Sequence, residues 1–322
     1  MAKEFLNALE AEIGQQDMGK NPIELYEPIQ YLMSLGGKRI RPVLCLLTYS
    51  LFKDQWQKAI SPSLSLEIFH NFTLMHDDIM DKAPLRRGKQ TVHEKWNDNI
   101  AILSGDVMLV NAYQYLNKIK DLSLSEFQFA LERFNKTAAE VCEGQQMDMN
   151  FESRSQVQIA EYVEMIRLKT SVLIGLSLEM GAILGGASVS NCQHLYEFGK
   201  NIGIAFQLQD DYLDAFGDAA LFGKEPGGDI KQNKKTFLLI HALEVANAAQ
   251  KKELNELLSS NAPDKVEKVL AIFKSCGVDA WAEASKAKYM QEAFAHLESI
   301  ALVSDRKKPL IELANYLMNR NQ

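Results

Sequence analysis

Cysteine is scarce: Cys45, Cys142, Cys192 and Cys276 are the only four thiols in 322 residues. Their wide scatter supplies neither a disulfide framework nor paired zinc ligands, and it fits reduced thiols in a cytoplasm. Proline is confined. Pro22, Pro28, Pro42, Pro62 and Pro84 come early, and the next is Pro226. No apolar run approaches the roughly 20 residues that span a bilayer, so no membrane span is expected. The first residues, MAKEFLNALEAEIGQQ, are amphipathic and carry acids, unlike a signal peptide. Positive charge is in deficit, with a formal net charge of −7. That excludes an overall basic footprint for nucleic acid. An acidic protein that binds an anion has to gather its Lys and Arg locally.

Strand signals are missing too; no alternating pattern with hairpin turns stands out. What fills the proline-poor stretch is helical periodicity. SEFQFALERFNKTAAEVCEG, AEYVEMIRLKTSVLIGLSLEMGAILGG and LYEFGKNIGIAFQLQDDYLDAF each repeat their apolar residues at about 3.6. Helices apolar nearly all round belong inside a large helical assembly. With no linker, repeat or low-complexity tract, the expectation is one all-α domain over residues 1–322.

Carboxylates are clustered twice. His76-Asp77-Asp78-Ile79-Met80-Asp81 ends the apolar segment LSLEIFHNFTLMHDD, and Asp210-Asp211-Tyr212-Leu213-Asp214 ends another. At about 100° per residue, Asp77 and Asp81 share a helix face one turn apart, with Asp78 beside them. Carboxylates this close repel one another, and at a helix C-terminus they also oppose the macrodipole. A hard cation with oxygen ligands removes that cost, and Mg²⁺ is usually held by one or two carboxylates together with substrate phosphates. A solvated helix end explains one such cluster as well; two after buried-looking helices point to a magnesium clamp on a diphosphate.

Basic residues gather beside both clusters. Gly36-Gly37-Lys38-Arg39-Ile40-Arg41-Pro42 precedes the first, Leu85-Arg86-Arg87-Gly88-Lys89 follows it, and Phe222-Gly223-Lys224 and Asn233-Lys234-Lys235-Thr236 follow the second. Arg offers a bidentate fork to phosphate and Lys a point charge. Cations next to carboxylates imply two anion sites, one bridged by metal and one held directly. His70 lies 11 residues before Asp81, hence within about 20° of it on a helix.

These runs resemble the trans-isoprenyl diphosphate synthases, the polyprenyl synthetase family. GGKRIRP, LEIFHNFTLMHDDIMDKAPLRRGKQTVH, LSGD, GQQMD, LKT, AFQLQDDYLDAFGD and GKEPGGDIKQNKKT carry the likeness through most of the chain. The resemblance implies a helical bundle around a central catalytic cavity, a homodimer, and head-to-tail condensation of isopentenyl diphosphate with an allylic diphosphate. It implies that Asp77, Asp81 and Asp210 ligate Mg²⁺, about three ions per site, with Asp78, Asp211 and Asp214 in support. Arg86, Lys169, Thr170, Gln207 and Lys224 would hold the allylic diphosphate, with Lys234 nearby, and Lys38, Arg41, His70 and Arg87 isopentenyl diphosphate. Lys169 and Lys224 join the six aspartates as catalytic residues. Lys169-Thr170 would read as surface without the likeness.

In this family the residues four and five positions before the first Asp help set the cavity floor; here they are Thr73 and Phe72. The helix wheel favours Thr73 as cavity-facing, whereas Phe72 rests on the resemblance. Bulky Phe72 argues for a short or medium product, and small Thr73 removes the stop expected for the shortest. Geranylgeranyl diphosphate is therefore favoured over farnesyl diphosphate. A class I terpene cyclase would carry a different second metal motif, and a non-catalytic subunit would have lost aspartates; both clusters here are complete. The chain ends in Asn319-Arg320-Asn321-Gln322 without a basic tail, which leaves a C-terminal lid in doubt.

Overall fold

A computed structural model describes residues 1–16, 18–217, 227–260 and 262–318. Helices α1 (Ala2–Gln15), α2 (Ile23–Ser34), α3 (Ile40–Phe52), α4 (Ile60–Met80), α5 (Val92–Lys95) and α6 (Asp98–Leu116) come first. Then follow α7 (Leu124–Ser153), α8 (Ile159–Ile166), α9 (Val172–Leu184) and α10 (Val189–Phe216). The remaining chain forms helices Gly228–Lys231, Phe237–Val245, Ala248–Leu258, Lys265–Ser275, Val278–Glu298 and Ser304–Met318. The all-α expectation holds. None of the described helices is long and apolar enough to cross a membrane.

Two compact units emerge. The first gathers Met1–Asn135, Leu176–Gln193 and Leu302–Leu310; the second gathers Lys136–Gly175, His194–Ala301 and Ile311–Gln322. In the first unit, α4 carries Pro62 in its opening turn, where the missing N–H costs nothing. Its far end closes in a Schellman motif: the Lys82 N–H bonds the Ile79 carbonyl at 3.2 Å and the Ala83 N–H bonds the Asp78 carbonyl at 2.9 Å. Lys82 takes the left-handed conformation (φ 49°) that glycine usually supplies there. Helix α6 lies against α4 where Gly105 has no side chain, since a Cβ there would come 2.2 Å from His76 Nε2.

One expectation fails after α4. A two-stranded hairpin pairs β1 (Leu85–Arg86) with β2 (Lys89–Gln90), Arg86 opposite Lys89. Arg87 (φ 53°) and Gly88 (φ 74°) are its two turn residues, the positive pair that a type I′ turn requires. At two residues per strand the alternation is too short to read in the sequence. Local anchors hold it instead: Tyr31 Oη donates to the Gln90 carbonyl and Thr91 Oγ1 to the Ala83 carbonyl, each at 2.8 Å.

In the second unit, the stretch read as one helix from Ala160 is broken. A π-helical turn, Arg167–Ser171, separates α8 from α9. Ser171 Oγ donates to the Ile166 carbonyl five residues back, at 3.1 Å. Gly144 of α7 approaches so closely that a Cβ would sit 2.2 Å from the Lys169 backbone nitrogen. Periodicity does not report one inserted residue. The core of this unit includes Phe151, Tyr162, Leu208, Phe237, Leu254 and Phe273. Trp281 stacks on Phe237 at 4.2 Å and on His241 at 3.6 Å.

Candidate active site

The first aspartate cluster emerges from the capped end of α4. Asp78 is buried and gripped in a fork: Arg86 Nε and Nη2 donate to its two oxygens, each at 2.7 Å. The same Nη2 lies 3.8 Å from Asp77 Oδ2. Burial raises the Asp78 carboxyl above its ordinary range, against the pull of Arg86. Asp78 thus aligns Arg86, and Nη1 is the part of that guanidinium outside the fork. Asp81 caps the helix and is exposed.

Arg87 points the other way. Its left-handed backbone turns Nη1 onto the Gly36 carbonyl, 51 residues earlier. A Cβ on Gly37 would meet that guanidinium at 3.0 Å, so the glycine pair forms a seat for Arg87 as well as a flexible turn. Around it the cations crowd. Burial lowers the Arg41 pKa to about 10, with Glu67 opposing, and Arg41 Nε is buried without a hydrogen bond. His70 is held well below its usual value by burial and then by Arg41, Arg87, Arg86 and Arg39. Its imidazole is neutral at pH 7. Arg87 is itself lowered, by burial and then by Arg39. Arg41, His70 and Arg87 therefore share one electrostatic neighbourhood, with Lys38 exposed at its margin.

Arg39 is different. It is 2 % exposed and its guanidinium is engaged by Glu10 and Glu67 at 2.9 Å each and by the Met33 carbonyl at 2.7 Å. It ties α1, α2 and α4 together and is structural.

The second unit holds the other predicted residues. Lys169 and Thr170 stand on the π turn, half-buried, where residue type alone would have placed them on the surface. Lys169 Nζ pairs with Asp148 Oδ2 at 2.6 Å. Thr170 Oγ1 donates to Gln207 Oε1 at 3.1 Å, and Gln207 Nε2 donates to Asp210 Oδ2 at 3.3 Å. That chain links the π turn to the second cluster. Asp211 accepts from Tyr162 Oη at 2.6 Å, and burial pushes its carboxyl up to about 8. Asp214 Oδ2 accepts from the Asp229 backbone N–H at 2.9 Å. Lys234 Nζ lies 3.3 Å from Asp229. Lys224, and the tail Asn319–Gln322, fall outside the described residues.

Sequence reasoning missed Asp148, Tyr162 and Asp229 as partners. Asp148 and Asp229 sit inside GQQMD and GGDIKQNKKT, so the motif runs contained the signal. Tyr162 gave none, because a tyrosine on an apolar stripe reads as core. Below the first cluster, Phe72 is 8 % exposed, with the rings of His76 and Phe69 at 4.8 and 5.6 Å. The aromatic row continues through Phe134 to Tyr113. Thr73 is half-buried and returns its hydroxyl to the His70 carbonyl at 2.8 Å.

Among the described residues, no three His, Cys, Asp or Glu side chains are gathered to hold an ion by themselves. The donors are hard carboxylate oxygens too few at any one place to complete a shell, which fit an ion that takes its other ligands from phosphate and water.

The polyprenyl synthetase family model matches residues 22–276. The chain is 39% identical over 300 residues to a short chain isoprenyl diphosphate synthase of Methanocaldococcus jannaschii, covering 92% of this chain and 89% of that one. It is 37% identical over 303 residues to a geranylgeranyl pyrophosphate synthase of Geoglobus acetivorans, covering 94% and 92%. A crystal structure of a geranylgeranyl pyrophosphate synthase matches with a TM-score of 0.93 at 41% identity, over 100% of this chain and 99% of that one. Matched across its length, with both aspartate clusters intact, the chain belongs to the polyprenyl synthetase family and is a trans-prenyltransferase of the isoprenyl diphosphate synthase type.

Proposed function

We propose that this enzyme condenses isopentenyl diphosphate head to tail with allylic diphosphates, and that geranylgeranyl diphosphate is its main product. The observation that carries the reading is the crowd of Arg41, His70 and Arg87. Arg41 and Arg87 are lowered chiefly by burial and both depress the protonation of His70, and partly desolvated cations like these, with a buried donor left over, are stabilised by an anion. We assign that place, with Lys38, to the isopentenyl diphosphate headgroup. Arg86, Lys169, Thr170, Gln207, Lys224 and the nearby Lys234 are assigned to the allylic partner, and Asp77, Asp81 and Asp210 to Mg²⁺, three ions per site. When bound, Mg²⁺ supplies positive charge to the departing diphosphate oxygens.

The residues do the rest. Arg86 and Lys169 are aligned by Asp78 and Asp148, so each meets its phosphate without searching for a rotamer. As the allylic C–O bond breaks, negative charge grows on the leaving group, and pre-aligned cationic donors assigned to it lower the barrier. The apolar wall that includes Phe72 keeps water from the carbocation. The isopentenyl double bond attacks it, and a proton passes to the departed diphosphate; no side chain is needed as base. Farnesyl diphosphate is the second reading of the product, favoured by the bulk of Phe72.

We further take residues 1–322 as one catalytic domain, because each unit is assembled from three separate chain segments and neither can be excised whole. A homodimer is supported by α6, which exposes Leu103 and Val110 seven residues apart, two turns along one face. Sedimentation should return twice the 36.3 kDa chain mass. A cytoplasmic location agrees with the reduced thiols.

The deciding experiment is turnover of the two substrates with product mass spectrometry. Activity should vanish with chelator and return with Mg²⁺. Asp77→Ala and Asp210→Ala should each lower turnover by orders of magnitude while the fold is kept, since like-charge repulsion is eased. Near-wild-type turnover in either variant would refute the assignment.

A further inference from the structure

The middle aspartate of each triad is held by its own unit, but by different chemistry. Asp78 is forked by a guanidinium. Asp211 is met by a neutral phenol: Tyr162 Oη donates to Oδ2 at 2.6 Å, and the Phe237 backbone N–H donates to the same carboxylate. Tyr162 is 7 % exposed, and its ring lies 6.2 Å from Phe237 in the core of the unit. In an interior packed this densely, the phenol cannot swing away without opening a void. Asp214 is fixed in turn by the Asp229 N–H at 2.9 Å, and Gln207 Nε2 reaches Asp210 at 3.3 Å.

We propose that Tyr162 is a positioning residue for the second metal triad: by holding Asp211 as a strut, it makes Asp210 the carboxylate of that triad that takes the cation. The choice of a phenol matters. Arginine at the first triad brings a full positive charge to its carboxylate, whereas a phenol fixes Asp211 in place without adding one. An outer partner that orients metal-ligating carboxylates typically changes affinity by about 10- to 100-fold when lost. The inference rests on the assignment of Asp210 as a ligand, and the test separates the two claims.

Mn²⁺ binding in the presence of inorganic diphosphate, followed by electron paramagnetic resonance, is compared in the wild type, Tyr162→Phe, Asp211→Asn and Asp210→Asn. Turnover is then measured across a Mg²⁺ series. Tyr162→Phe should keep its circular dichroism and weaken one class of Mn²⁺ by about 10- to 100-fold. Excess Mg²⁺ should restore its kcat, which a merely structural defect would not allow. Wild-type Mn²⁺ affinity in Tyr162→Phe, or a kcat loss that Mg²⁺ does not repair, overturns the proposal. If that variant does not fold, Asp211→Asn decides. A strut can keep its phenol contact as an amide and should lose less affinity than Asp210→Asn. Equal losses would make Asp211 a ligand and overturn the idea. Unchanged binding in Asp210→Asn would instead remove the metal assignment, and this proposal with it.

Discussion

Arg86 and Arg87 are neighbours in sequence and opposites in use. One is locked to Asp78 at 2.7 Å, the other rotated by a left-handed backbone onto Gly36. Their substitutions should therefore separate. Arg87→Ala, and Lys38→Ala with it, should raise KM mainly for isopentenyl diphosphate. A lost charge-assisted contact costs about 1.5–3 kcal/mol, or roughly 10- to 150-fold. Lys224→Ala should chiefly impair the allylic substrate. Steady-state kinetics with each substrate varied will check this; equal effects on both substrates from all three variants would mean the sites are wrongly assigned. His70 gives a pH signature. Its folded pKa is depressed by burial and by Arg41, Arg87, Arg86 and Arg39, so below about 6.5 the unfolded chain binds the proton more readily than the native one. Stability then falls as pH falls through that window. Urea unfolding between pH 7.5 and about 5 should show a shallower acid loss in His70→Gln than in the wild type. Parallel curves would show that another group sets the acid limb.

Elements meet where glycine lets them. Gly144 of α7 admits the backbone of the π turn that displays Lys169 and Thr170. Gly144→Ala places a Cβ 2.2 Å from the Lys169 nitrogen, and the neighbour is backbone, which cannot rotate aside. Overpacking of this kind costs about 1–3 kcal/mol. It should also shift the turn and weaken allylic substrate binding. Gly14→Ala is the control, because nothing lies within 4 Å of the position and its φ is unexceptional. In a helix it should stabilise by up to about 1 kcal/mol. Thermal melts and allylic KM values for both variants distinguish close approach from helix propensity; a Gly144→Ala protein as stable and as active as the wild type would show that the turn can move. The π turn itself was not legible. The sequence from Ala160 to Gly186 repeats its apolar residues continuously, and one inserted residue shifts the helical phase without interrupting the pattern. The hairpin at residues 85–90 was hidden for a related reason: two residues per strand carry no period to detect.

For the whole molecule, the functional variable is product length. A growing isoprenoid stops when its tail meets side chains that cannot be displaced, and Phe72 lies in an aromatic row with Phe69 and His76 below the first cluster. If that row is the floor, Phe72→Ala should lengthen the main product by at least one isoprene unit. Thr73→Phe should shorten it toward farnesyl diphosphate. Mass spectrometry of the products reads both. No change from Phe72→Ala beside a shortened product from Thr73→Phe would assign the floor to Thr73; no change from either would place the floor elsewhere and remove the basis for preferring geranylgeranyl diphosphate.

The sequence by itself determined the helical class, the inventory of carboxylates and cations, and the family. Helical period, the two repeated aspartate spacings and the basic runs are all local patterns, written within a few turns of chain. The tertiary structure decided which of those charges are available. Arg39 and Arg41 look alike in GGKRIRP, yet Arg39 is consumed by Glu10 and Glu67, 29 and 28 residues away, while Arg41 keeps a buried donor without a hydrogen bond. Likewise nothing near Asp211 in sequence announces Tyr162, which arrives from 49 residues earlier. A side chain's chemistry is set by its type, but its protonation and its freedom are set by neighbours and burial, and these are brought together by the fold.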